Sequence, residues 1–186
     1  VIFLALFSGS RATERAMKGT YSAAASWHRQ HGTNVSQLDL LREVLKTRSQ
    51  FVGRGGEKLS YAVKTFHIDI REKICLDVGS ATGGFVDVLL QNGARKIYAV
   101  DTAKGTLDVK LRENSRVMVM EGINILNLEK LPELADVISI DVSLTSLRSV
   151  FSIVSRFLKE GGTVVALFKP QYEIRDARFL HHGIVK

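Results

Sequence analysis

With one cysteine, Cys75, in 186 residues the chain can close no internal disulfide, which favours a reducing compartment and hence the cytoplasm. It also lacks an apolar run near the roughly 20 residues that cross a bilayer. The apolar opening "VIFLALF", Val1 to Phe7, is too short for that. The small residues of "SGSRA" behind it suit a signal-peptide remnant, but no basic region precedes it, and a chain opening at Val1 without methionine reads more simply as a fragment. There is no internal repeat and no low-complexity tract, so a solenoid or a compositionally disordered chain is excluded.

What is present is globular in proportion, 45% hydrophobic and 24% charged, and long enough for one α/β domain with a short appendage. Lys and Arg number 26 against 19 Asp and Glu, and the net charge of +7 attracts anions such as nucleic acid or an anionic membrane. A basic soluble protein without such a partner fits the charge equally well.

Residues 8 to 36 are rich in Ser, Ala, Thr and Gly without a sustained apolar period, so residues 1–50 read as an N-terminal appendage. Within it, Leu38, Leu41, Val44 and Leu45 predict a helix after Ser36. Leu59, Ala62, Val63 and Phe66 predict a second helix over 57–66. From there strands and helices alternate. "KICLDV", "KIYAVD", "RVMVME", "DVISIDVS" and "TVVALFK" read as strands. Helices are expected over Phe85 to Leu90, Lys104 to Arg112 and, closed by Gly161-Gly162, Leu144 to Leu158, with a short helical connection over Leu126 to Leu131. Strands apolar on both faces and separated by helices require a parallel sheet covered on each side, a doubly wound α/β fold.

In such a sheet ligands bind at the carboxyl ends of the strands, where "DVGSATGGF" lies. Asp77-x-Gly79-x-x-x-Gly83-Gly84 departs from the G-x-G-x-x-G of dinucleotide sites, because Ser80 interrupts the pyrophosphate pattern. A carboxylate beside the turn repels phosphate and suits a ligand with a cationic amino-acid end, as S-adenosylmethionine has. Asp101 ends the next strand, where an acid can accept ribose hydroxyls, and Glu121 with Asn124 ends the third, where they can border an adenine. The plainer reading is a turn that lets a strand pack on a helix, with acids serving as turn formers.

Asp141 and Lys169 end the fourth and fifth strands. Taken alone they could be a helix cap and a solvated lysine. Lys58 lies in the first turn of the helix after Gly55-Gly56, against the helix dipole, and the neighbouring Arg54 suits a phosphate contact.

These stretches, together with "GRGGEKLSYAV", "KLRENSRV", "MEGIN", "DVSLTSL", "LFKPQYE" and "HGIV", resemble the hemolysin-A-like (TlyA-type) ribosomal-RNA 2'-O-methyltransferases, relatives of FtsJ/RrmJ, from about Phe51 to the end. The resemblance implies a Rossmann-like class I S-adenosylmethionine-dependent methyltransferase domain over 51–186, mostly parallel in its sheet and incomplete at the C-terminal strands. It implies methylation of a ribose 2'-hydroxyl of ribosomal RNA, free or in ribosomal subunits, with no membrane partner. Three members of the family's Lys-Asp-Lys-Glu tetrad fall on Lys58, Asp141 and Lys169. The expected cofactor-binding set is Asp77, Gly79, Ser80, Gly83, Gly84, Phe85, Asp101, Glu121 and Asn124, with Arg54 on RNA and no metal. The sequence departs from the family pattern in having no counterpart of the fourth tetrad member, a glutamate on a later strand, and in showing no trace of the small RNA-binding domain in residues 1–50. Gly53, Leu126 and Leu144 depart from the usual serine, arginine and phenylalanine. The alternative is a catalytically inactive RNA-binding or hemolysin-like fragment of the same fold.

Overall fold

The computed structural model describes residues 2–7, 50–173, 180–181 and 184–185; the helix expected after Ser36 lies outside the described residues. Elements follow in the order β1 (Ile2–Phe7), α1 (Gly55–Thr65), β2 (Ile74–Val78), α2 (Gly84–Gln91), β3 (Lys96–Asp101), α3 (Val109–Arg112), β4 (Val117–Glu121), β5 (Ala135–Ile140), α4 (Leu147–Val154) and β6 (Leu158–Phe168). A separate two-stranded pair, β7 (Leu180–His181) and β8 (Ile184–Val185), closes the order.

The main sheet has six strands in the order β1-β6-β5-β2-β3-β4. Strands β2 to β6 run parallel, and β1 joins the edge antiparallel to β6. The apolar opening segment, which the sequence reading set apart from the sheet, thus supplies an edge strand paired from Ile2↔Phe168 to Phe7↔Thr163.

Strand periodicity divides the core in two. Cys75, Ile97, Ala99, Val137 and Val165 face α1 and α2, where Leu59, Ala62, Val86 and Leu89 complete one cluster. Leu76, Val100, Ile138, Ile140 and Val164 face the other side, with Leu147, Val150, Phe151 and Val154 of α4. Both Leu76 and Leu89 are fully buried, so truncating either to Ala costs about 2–5 kcal/mol. The apolar surroundings push the Cys75 thiol well above its ordinary range and leave it inert. Among the described residues no helix is long and apolar enough to cross a membrane.

Three connections differ from their periodicity. The helix expected from Lys104 shrinks to Val109–Arg112, because the amides of Gly105, Thr106 and Leu107 donate to the Glu121 carboxylate and are withdrawn from any helical ladder. Leu126 to Leu131 gives only a single 3-10 turn, Ile125–Asn127, capped by the Asn124 side chain. The helix expected from Leu144 begins at Leu147 instead, since Leu144 has φ 62, outside the right-handed helical region. It ends at Val154, and Gly161-Gly162 lies inside β6, where the β5–β6 register shifts between Ala135 and Val137.

Candidate active site

The parallel strands deliver their carboxyl ends to one rim, and a cavity of about 360 Å³ opens there, within the range of small-molecule sites. Of the residues singled out in the sequence, Gly79, Asp101, Asn124 and Asp141 line it, with apolar walls from Val100, Ile123 and Val142.

Asp101 organises the first wall. Its Oδ2 accepts from the Ala81 amide and its Oδ1 from the Ala103 amide, each at 2.8 Å. Ala81 sits at φ 47, a left-handed conformation uncommon without glycine, so the Asp101 hydrogen bond helps to hold the turn in this shape.

The glycines divide their work. Gly79, at φ 87, lines the cavity, and a Cβ there would stand 2.5 Å from the Asp141 carbonyl oxygen. Gly83 and Gly84 are spent on packing. A Cβ on Gly83 would meet Leu111 Cδ1 at 2.2 Å, and one on Gly84 would meet the Gly56 nitrogen at 2.7 Å and the Val52 carbonyl at 3.0 Å. The turn therefore serves both readings, the first glycine at the cavity and the last two at helix contacts.

Phe85 is buried in the core, and Ser80 is buried with its hydroxyl turned to the carbonyls of Asp77 and Val100, at 3.3 and 3.4 Å. Neither side chain faces the cavity. The Glu121 carboxylate also points elsewhere, toward the 105–107 amides and Arg112 Nη2, whose contacts to both oxygens are 2.9 Å. These hydrogen bonds, the Leu107 amide first and Arg112 next, bring its pKa down to about 2. On that side of the cavity Asn124 stands instead of Glu121.

Asp77 is completely buried, on the β2 face that also carries Cys75. Ser139 Oγ, from the paired position of β5, donates to its Oδ1 at 2.6 Å, while Oδ2 has no hydrogen-bond partner among the described residues. Burial pushes its carboxyl up to about 7; the Ser139 hydrogen bond and, less, the nearby Ser80 hydroxyl oppose this, and the charges of Asp141 and Asp101 reinforce it. One residue further on, Val78 lines the cavity.

Also on the cavity lining, a carboxylate stands between two cations. Asp141 Oδ1 is 2.6 Å from Lys169 Nζ, and Oδ2 is 3.7 Å from Lys58 Nζ. Lys169 also donates to Ser143 Oγ at 2.9 Å and lies 5.9 Å from the Tyr172 ring centroid. Three separate elements bring the cluster together: β5 ends just before Asp141, β6 just before Lys169, and α1 presents Lys58 in its first turn. The close α1–α2 contact at Gly56 and Gly84 places that turn, and Val52 N donating to Asp87 Oδ2 at 2.8 Å ties the preceding segment to α2. Arg54 is exposed at the N-cap of α1.

Sequence reasoning passed over Ser143, which the serine of "DVS" two places after the strand-end acid could have signalled. Leu144, noted in the sequence only as a departure from the family's phenylalanine and as a helix start, is 87% exposed at the cavity wall in a left-handed conformation.

Comparison with known proteins follows the same lines. The chain is 41% identical over 143 residues to YqxC of Bacillus subtilis, covering 74% of this chain and 50% of that protein. It is 38% identical over 143 residues to the 23S rRNA (cytidine-2'-O)-methyltransferase TlyA of Campylobacter jejuni, covering 76% and 53%. A solved structure from Streptococcus thermophilus that carries a hemolysin name superposes with a TM-score of 0.73 at 40% identity, covering 76% of this chain and 52% of that one. The chain thus spans about half the length of the curated relatives it matches. The sheet is that of a Rossmann-like class I methyltransferase, and with the FtsJ-like methyltransferase model matching residues 51–186, this chain belongs to that family.

Proposed function

We propose that the chain transfers a methyl group from S-adenosylmethionine to a ribose 2'-hydroxyl of ribosomal RNA, in the cytoplasm. The observation that carries this reading is the pair of lysines on the two oxygens of Asp141, which lines the same cavity as Asp101 and Gly79.

The residues present fit the cofactor. Asp101 retains acceptor capacity for ribose hydroxyls beyond its two amide contacts. Val100, Ile123 and Val142 give apolar walls for a base, and Asn124 a polar edge. The orphaned Oδ2 of buried Asp77 is an acceptor that a cationic amino-acid end would satisfy. When bound, S-adenosylmethionine supplies a methyl group activated by the adjacent sulfonium.

The chain's own residues position the acceptor and manage its proton. Asp141 and Ser143 accept two of the hydrogens on Lys169 Nζ, leaving its remaining position toward the 2'-hydroxyl. From that position Lys169 takes the hydroxyl proton as the new oxygen–carbon bond forms. Asp141 fixes both lysines, and Lys58 holds the other side of the acceptor. Arg54, exposed at the start of the same helix, extends the cationic surface toward RNA phosphates.

The test is transfer of labelled methyl to unmodified ribosomal RNA or subunits, with the modified ribose mapped. Lys169→Ala should lower transfer about 100-fold or more while cofactor binding persists. Full transfer by that variant overturns the assignment, and RNA binding by the wild type without any transfer supports the inactive-fragment alternative.

A further inference from the structure

Asp141 and Lys169 stand on two loops that follow adjacent parallel strands, and something must keep those loops in register beyond the ends of β5 and β6. The first loop, 141–146, is anchored at its start, where Asp141 N donates to the Val78 carbonyl, but runs through an exposed stretch before α4. Ser143 is exposed, and Leu144 is 87% exposed at φ 62, a left-handed conformation unfavourable for a bulky residue. The second, 169–173, is a single 3-10 turn, Pro170–Tyr172, ending at Glu173.

Glu173 joins them. Its Oε2 accepts from Ser146 Oγ at 2.6 Å and its Oε1 from the Leu147 amide at 2.7 Å, 27 and 26 residues away in sequence. Both bonds are short and charge-assisted, and they fall at the N-terminus of α4, where the helix dipole favours a carboxylate. The two loops therefore form a closed circuit. They are fastened at the inner end by Lys169 on Asp141 and Ser143, and at the outer end by Glu173 on Ser146 and Leu147.

A lysine has four rotatable side-chain bonds, and ordering it costs rotamer freedom. An ion pair to a partly exposed aspartate recovers little of that when Ser143, the lysine's second partner, stands on an exposed stretch of loop. Fastening the outer end holds that stretch before any substrate arrives. We propose that Glu173 is a positioning residue, a latch between the two strand-end loops that holds Lys169 against Asp141 and Ser143. Its consequence for catalysis rests on the methyl-transfer reading above; its effect on Lys169 does not.

The test compares Glu173→Ala, Glu173→Gln and Ser146→Ala in the full chain. One measurement is trace acetylation with acetic anhydride, scored by mass spectrometry at Lys169 and, as an internal reference, at Lys159, which is paired with Asp136 near the start of β6. The other is kcat and KM for methyl transfer to unmodified ribosomal RNA, with cofactor affinity measured separately. Glu173→Ala should raise Lys169 labelling severalfold without changing Lys159. It should lower kcat about tenfold or more, with cofactor affinity kept, since a misplacement of about 1 Å can cost up to 100-fold. Glu173→Gln should recover most of both, because its carbonyl can accept from Leu147 and its amide can donate to Ser146. Ser146→Ala removes one of the two fastenings together with the α4 cap bond from the Arg148 amide, leaves the Leu147 bond to Glu173, and should fall between, which keeps the test decisive if Glu173→Ala fails to fold. Unchanged Lys169 labelling in the folded variants overturns the latch. If the wild type transfers no methyl but Lys169 labelling still responds, the latch stands and the methyl-transfer reading falls.

Discussion

A methyl group on Gly79 would stand 2.5 Å from the carbonyl oxygen of Asp141. The backbones that end β2 and β5 therefore touch, with Asp141 N donating to the Val78 carbonyl at 3.0 Å. The turn that lines the cavity and the residue that gathers the two lysines are one piece of structure. Changes to the turn should consequently reach the lysine cluster as well as the cofactor site.

Gly79→Ala tests that coupling. Alanine must adopt φ 87 and displace a backbone carbonyl, which cannot rotate aside as a side chain could. The strain alone costs about 1–2 kcal/mol of stability, and because Gly79 lines the cavity the displaced backbone should also lower cofactor affinity about tenfold or more by titration calorimetry. Methyl transfer should fall further than affinity, because Asp141 moves too. Loss of affinity with turnover at saturating cofactor unchanged would show the two walls to be independent.

Gly84→Ala should separate what Gly79→Ala combines. Its Cβ meets the Gly56 nitrogen and the Val52 carbonyl, so α1 must shift away from α2 and take Lys58 with it. Overpacking of this kind costs about 1–3 kcal/mol, visible as a lower Tm. Cofactor affinity should stay near wild type while transfer drops. Weakened cofactor binding at unchanged Tm would instead restore Gly84 to the cofactor site.

The alternation of strands and helices was legible because the central strand β2 is buried on both faces, as the apolar residues of "KICLDV" on either side of the pleat already implied. Strand-end acids were legible as a class, since topology alone sends them to one rim. Their individual tasks were not. Glu121 and Asp101 occupy paired positions on neighbouring strands, yet Asp101 faces the cavity and Glu121 binds a loop whose amides come from 105–107. Whether a carboxylate meets ligand or backbone depends on the path of a connection with no periodicity to reveal it. The same blindness hid Glu173, whose partners are 26 and 27 residues away, and the short α3, whose apolar spacing suggested a longer helix.

Asp77→Asn should reveal the buried acid through pH. The Asp77 carboxyl titrates near 7 when folded, raised chiefly by burial from an ordinary value of 3.8. The folded chain thus holds more protons than the unfolded chain between those values, and stability falls as pH rises through that window. Asparagine keeps an acceptor for Ser139 and carries no charge. Melting curves from pH 4 to 8 should show the variant gaining on the wild type as pH rises, by several degrees in all, then running parallel above about 7. A constant difference across the range would mean that Asp77 is ionised throughout.

Glu121→Gln should behave with the opposite sign. The Leu107 amide and Arg112 lead the contacts that depress the Glu121 carboxyl from 4.5 to about 2. Its contribution is complete above the unfolded value of 4.5 and disappears as pH falls through about 2. At pH 7 the variant should melt below the wild type, because a neutral amide cannot serve three backbone donors and a guanidinium as a carboxylate does. Leu107 and Leu111, which pack over Gly83, should loosen with it, and their amides should exchange hydrogen faster. As the pH falls from 4.5 toward 2 the two melting temperatures should converge. A gap that persists undiminished at pH 2 would show that the Glu121 charge contributes nothing to holding the 105–107 loop.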